Sequence, residues 1–233
     1  MELKGQCAKC AVPKRLCRTP DGVGPQFCCT RLYPEALAKA AAVYAEPAVH
    51  EFAYNASLQE AECYINRTAD PPYLYPVKPR VQEIIEFARK MGYKKLGVAF
   101  CGGLHREASV FCQILENHGF EVVSVMCKVG GVDKSAIGIA DHQKVRVGPG
   151  FEPMCNPIAQ AEVLNAAGTE FNIMLGLCVG HDSLFIKHST ALVTVFAVKD
   201  RVLGHNPLAC IYTYDSYYER FKQDRLRELD VKE

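Results

Sequence analysis

The chain lacks three things, and each lack closes off a class of function. No stretch approaches the ~18 consecutive apolar residues needed to cross a bilayer, so no membrane span is expected. The first residues, MELKGQCAKC, have no apolar segment of the kind a secretory leader needs, and the expectation is a cytoplasmic protein. Charge of either sign is barely in excess: 27 Lys and Arg against 26 Asp and Glu leave a net charge of +1. Without a basic stripe, nucleic acid is a poor partner. What remains is a small ligand or a protein surface, and no segment of the sequence marks out such a surface.

Cysteine, by contrast, is abundant. Twelve thiols lie in 233 residues, 49% of them hydrophobic, a length that buries a proper core and carries a small appendage. In a reducing compartment such thiols serve metal binding or catalysis rather than disulfides. Cys7, Cys10, Cys17, Cys28 and Cys29 crowd the first thirty residues, where Pro20, Gly22, Gly24 and Pro25 break the chain and apolar residues are few. Such a segment needs a staple to fold. Cys7-x2-Cys10 lets two sulfurs face one ion, and Cys17 with Cys28 or Cys29 completes a tetrahedron. Residues 1–31 therefore read as a metal knuckle, with zinc the first choice and an iron-sulfur cluster the other group held by four thiolates. The alternative is a reduced tail without structure.

From Pro34 to Tyr64 the chain is alanine-rich and helical, in two pieces because Pro47 starts a helix but does not sit inside one. Asn66 to Pro79 carries four prolines and no period, so residues 32–79 read as a helical segment with a Pro-rich linker. The remainder, 80–233, alternates. Val81, Ile84, Ile85 and Ala88 mark one helix face; strands follow at Leu96–Cys101, Glu121–Cys127, Phe171–Cys178 and Leu192–Val198, with helices at Ala108–Leu115 and Asn156–Gly168 and a short one ending at Ser189. This order predicts an α/β fold: a doubly wound, Rossmann-like, mainly parallel sheet of at least four strands. A further strand around Ala209–Tyr212 and a charged helix from Asp215 to Leu229 are expected after it.

Three of those strands end in cysteine, at Cys101, Cys127 and Cys178, and Cys155 stands just before Asn156 and Pro157, a good N-cap and a good first helical residue. If the strands are parallel neighbours, four thiols converge on the carboxyl edge, where open α/β sheets collect ligands. Cys178, Cys127 and His181 are the candidate catalytic groups, because a cysteine beside a histidine and a helix start ionises readily. Cys101 and Cys155 join Cys7, Cys10, Cys17 and Cys28 as candidate metal ligands, with an iron-sulfur cluster also considered at the strand ends. The long stretch from Lys128 to Met154 has no period and reads as a lid, with Lys128 and Lys134 placed to meet a small anion. Gly102 and Gly103 permit close approach by a phosphate, and Asn156 and His205 border the same edge. Against this stand plainer readings: sulfurs packed beneath the sheet end, and an ordinary solvated loop. Cys63, Cys112 and Cys210 are read as small core hydrophobes.

The segments CKVGGVDK, CNPIAQAEVLN, GLCVGHDSLFIKHS and VKDRVLGHNP, taken together, resemble the cysteine-rich family known as domain of unknown function 1847. The resemblance extends over nearly the whole chain, knuckle included. It implies metal binding and no particular reaction. Two functions are consistent with the residues: a second metal or cluster held at the strand ends by Cys101, Cys127, Cys155 and Cys178, supporting redox or thiol chemistry on a small anionic ligand; or a non-enzymatic metal-binding or redox-sensing module that works through a protein partner.

Overall fold

The computed structural model describes residues 4–71 and 73–223. The chain divides into two compact units, one ending at Val77 and one beginning at Lys78.

In the N-terminal unit the cysteine-rich stretch is built from turns. A single 3-10 turn covers Cys7–Lys9, and Arg15 bridges to Val23 in parallel. Helices α1 (Cys29–Leu32), α2 (Pro34–Tyr44) and α3 (Pro47–Glu62) follow, the last two each opened by a proline, whose missing N–H costs nothing at a helix start. The proline-rich stretch is more than a linker. Its strand β2 (Tyr75–Pro76) pairs antiparallel with β1 (Tyr64–Ile65), so the segment folds back on the end of α3. Cys63 at that end is buried.

The second unit is the expected doubly wound sheet. Helix α4 (Arg80–Lys90) buries Ile84, Ile85, Phe87 and Ala88. Strand β3 (Lys95–Phe100), helix α5 (His105–Asn117), strand β4 (Glu121–Met126), helix α6 (Pro157–Ala166), strand β5 (Phe171–Leu177), helix α7 (His181–His188) and strand β6 (Val193–Val198) complete the alternation. The four strands are all parallel, in the order β4-β3-β5-β6. After β3 the chain crosses to β4 on one side, and after β5 it crosses to β6 on the other. The switch point therefore lies between the carboxyl ends of β3 and β5. Every residue of β5 is buried, as an uninterrupted apolar run in a covered parallel strand requires.

Two buried amides fix the sheet ends. Gln160 of α6 donates to Phe100 O at 3.2 Å and to Val125 O at 2.7 Å, tying carbonyls near the carboxyl ends of β3 and β4 to one helix. At the opposite end Asn172 accepts from Thr169 and donates to Ser189, both at 2.8 Å. Gly97 makes room for it: a Cβ there would stand 2.0 Å from Asn172 Oδ1.

Two expectations at the C-terminus do not hold. Residues 209–212 lie in helix α8 (Leu208–Tyr212), not a strand. Pro207, at φ −63°, already has helical backbone and Asn206 O accepts from Ala209 N, so the short apolar run continues as a turn of helix. Of the expected helix Asp215–Leu229, the described part is turns and a 3-10 turn at Glu219–Lys222; residues 224 onward lie outside the described residues. Among the described residues, no helix is long and apolar enough to cross a membrane.

Candidate functional site

Strand geometry brings the first two thiols together. Ala99 and Val125 face the α6 and α7 layer, and their strands pair in register, Ala99 with Val125 and Phe100 with Met126. Side chains alternate along a strand, so Cys101 and Cys127, two residues further on, extend the same face of adjacent strands. Both are buried, at 8% and 4% exposure. Cys155 reaches them from the other end of the long loop, because Asn156 N donates to Cys127 O at 2.7 Å and Asn156 caps α6 by accepting from Ala159 N. Cys155 Sγ then lies 4.0 Å from Cys127 Sγ. Cys127 is hydrogen-bonded to Cys101 on its other side. The three sulfurs form a row with Cys127 in the middle.

Cys178 is placed differently. The ladder of β5 is irregular between Met174 and Leu177, where Gly176 has φ +72°, and Met174 and Leu177 both face the α6 layer. That slip leaves Cys178 off the row. Its Sγ accepts from Arg201 Nη2 at 3.1 Å, and Arg201 also feels the charges of Cys101 and Cys155. His181 donates its backbone N–H to Cys178 O, while its side chain acts on Cys155.

Cations surround the row. Lys128 Nζ donates to Cys155 Sγ at 3.4 Å and to Pro153 O at 2.7 Å. Lys199 bonds to Cys101, and its Nζ comes so near Gly103 that a Cβ there would stand 3.3 Å away. The amide of Gly102 donates to Cys127 Sγ at 3.4 Å, so this glycine pair brings backbone to sulfur. The consequences for ionisation follow. The hydrogen bond from Cys127 holds the Cys101 thiol well below its usual range against the opposing effect of burial, with help from Gly103 N–H and Lys199. The same neighbour, then Lys128 and His181, lowers Cys155 to about 5. Cys127 is pushed up by its two sulfur neighbours and by burial. The surroundings thus favour negative charge on Cys101 and Cys155 over Cys127. Cys127 has one proton to donate, so it supports one neighbour at a time while the lysines hold the other.

The long loop is pinned to itself. Lys134 N donates to Glu152 O and Met154 N to Val132 O, forming a ribbon at its base. Asp133 accepts from Ser135 N and Glu152 N, which draws it down to about 2; the Lys134 ammonium first, then hydrogen bonds from Arg146 N and Val145 N, draw Glu152 down to about 2. Lys134 is consumed by an ion pair with Glu152. Within the loop lies a cavity of about 510 Å³ lined by Lys128, Lys134, Lys144 and Arg146. His205 does not reach the thiols through any hydrogen bond; it sits at φ +67° in the turn after β6, its Nδ1 accepting from Asp200 N at 3.1 Å.

In the N-terminal unit, Cys7 bonds to the thiol of Cys29, which lowers Cys7 and raises Cys29. Cys28 instead packs against Gly24, where a Cβ would lie 2.8 Å from its Sγ. Cys10 N donates to Cys7 O, closing the turn between the first two cysteines. Among the described residues no three His, Cys, Asp or Glu side chains converge on a point that could hold one ion, either here or at the sheet edge. At the sheet edge Lys128, Lys199 and Arg201 are each hydrogen-bonded to a cysteine sulfur, on Cys155, Cys101 and Cys178 respectively.

Residues 28–196 match the family described as "Protein of unknown function (DUF1847)". The chain belongs to the DUF1847 family. The match takes in the whole thiol row and Cys178 but begins at Cys28, so Cys7, Cys10 and Cys17 lie outside it, a narrower extent than the resemblance suggested. The chain is also 50% identical, over 164 residues, to an uncharacterized protein of Methanocaldococcus jannaschii, covering 70% of this chain and 79% of that protein. No solved structure matches it.

Proposed function

We propose that this DUF1847 protein performs thiol chemistry, redox or transfer, on a small anionic ligand at the carboxyl edge of its sheet. One observation carries the reading: Cys101, Cys127 and Cys155 stand in a contiguous row with a lysine on each flanking sulfur. Thiolates are the reactive form of cysteine, and cations beside them offset the charge that an anionic ligand would add. The site also stands at the switch point, where the crevice between diverging crossovers is open to ligand. Cys178 and Arg201 border it from the β5 side, with Arg201 serving as the charge partner that His181 was expected to supply.

The test is a pH titration of thiolate absorbance near 240 nm on the full reduced chain. Replacement of Cys155 by serine removes one thiolate's absorbance at pH 6.5. A wild-type spectrum with no thiolate until pH rises past ~8, where free cysteine titrates, would overturn the reading.

A second reading concerns the N-terminal unit and is supported by the Cys7 to Cys29 contact and the Cys7–Cys10 turn. There the protein binds a metal, zinc first, through Cys7, Cys10 and Cys29 with Cys17 drawn in; metal sites of this kind close only when the ion arrives. An iron-sulfur cluster remains the alternative occupant, distinguished by visible colour.

A further inference from the structure

We propose that Cys155 is an attacking thiol and Cys127 its resolving partner, and that the substrate is a low-molecular-weight disulfide carrying carboxylate or phosphate groups, seated in the cavity of the 128–154 loop. This rests on the thiolate reading above and adds to it the order of attack and the class of substrate.

The order follows from access. Cys155 is partly exposed while Cys127 is buried at 4%, so an incoming molecule meets Cys155 first. The two sulfurs are 4.0 Å apart, and the backbone bond from Asn156 N to Cys127 O holds their main chains side by side. Closing from that distance to a bond of about 2.05 Å is a side-chain movement on a fixed frame.

The substrate class follows from the cavity. At about 510 Å³ it is far larger than a bare oxyanion and falls within the ~300–1,000 Å³ of sites for organic ligands. Four cations line it against one carboxylate, Glu152. Lys134 is paired with Glu152 and Lys144 with Asp141, while Lys128 reaches from the cavity wall to Cys155 Sγ. The charge left over on the cavity wall is that of Lys128 and Arg146, which favours anionic groups, and Lys128 joins the wall to Cys155 Sγ.

The chemistry balances without a metal. The Cys155 thiolate attacks one sulfur of R–S–S–R, a new S–S bond forms, and R–S⁻ leaves. Cys127 passes its proton to that leaving thiolate and attacks Cys155 Sγ, forming the Cys127–Cys155 disulfide and expelling the second R–S⁻. The protein loses two electrons and the substrate disulfide gains them, becoming one thiol and one thiolate, which takes its proton from water.

The test treats the reduced full chain, without oxygen, with oxidised glutathione as the anionic disulfide and cystamine as the cationic one, followed by acid quenching and peptide mapping. The expected product links Cys127 to Cys155, and oxidised glutathione forms it about ten times faster than cystamine at low salt, the gap narrowing as salt screens the charges. Cys127→Ser retains one glutathione on Cys155; Cys155→Ser forms no disulfide. A Cys101–Cys127 link in the wild type, an equal or faster reaction with cystamine, or no disulfide at all would overturn the assignment. Because mapping of the wild type decides it, poor folding of either variant does not shelter the proposal. Failure here alongside a normal 240 nm titration rejects only the roles and substrate; loss of both rejects the thiolate centre itself.

Discussion

The two cysteine-rich regions place sulfur by opposite means. In the N-terminal unit the thiols ride on turns, and Cys7 and Cys29 meet across segments that bury none of their own residues. At the sheet edge, in-register strands and a capped helix set Cys101, Cys127 and Cys155 before the sulfurs touch one another. A scaffold that is already rigid can hold thiolates next to lysines and keep them there. Turns with little core gain order from whatever the thiols bind. The rigid sheet edge suits reactivity, and the turns of the N-terminal unit suit capture of an ion.

Zinc binding breaks or sharpens this contrast most. Structural zinc sites are worth ~10–16 kcal/mol, so one of four ligands carries about 2.5–4 kcal/mol and its loss about 70- to 900-fold in affinity. Competition with a chromogenic chelator on the full chain should show that loss for Cys7→Ser and Cys29→Ser and none for Cys127→Ser. The reverse pattern would move the metal to the sheet.

Next in size is Gly176→Ala. Its φ of +72° is strained for alanine, and its Cβ would fall 2.1 Å from Leu104 Cδ1. Strain and overpacking together cost about 3 kcal/mol, or ~150-fold in the folding equilibrium. Denaturant melts should record that loss in the second unit while zinc binding is unchanged.

The smallest effect is the most pointed. At pH 6 a thiol lowered to about 5 is ~300-fold richer in thiolate than free cysteine at ~8.5, but its weaker basicity returns about 30-fold of nucleophilicity. Cys155 should therefore react with iodoacetamide about ten times faster than free cysteine, and its rate should change little from pH 6 to 8. Mapping that finds Cys17 labelled first would show that exposure outweighs ionisation.

The sheet was legible because its two central strands, β3 and β5, are covered on both faces, which writes them as apolar runs such as Ile173 to Leu177. The cysteine row was legible from the same pattern, since each strand's last residue is countable. Cys178's departure was not: a one-residue slip at Gly176 reverses the side-chain parity, and a glycine in a strand carries no sign of its φ. Lys199 and Arg201 went unselected in favour of His205, because loop cations have no period to mark them, although their place directly after a strand end was the available signal. Residues 209–212 misled because a short apolar run fits either helix or strand; the proline before it was the cue.

The strand order also shapes how the chain can fold. Leu96 pairs with Val122 and Asn172 with Val193, each link spanning only about 20–26 residues, whereas Leu96 meets Phe171 across about 75. Closing long loops delays contact formation, so two local halves, β3-α5-β4 and β5-α7-β6, are favoured to assemble early and join along one late seam. Cys101 and Cys127 belong wholly to the first half. Their pairing precedes the seam, while the crevice beside them comes into being only when the halves dock.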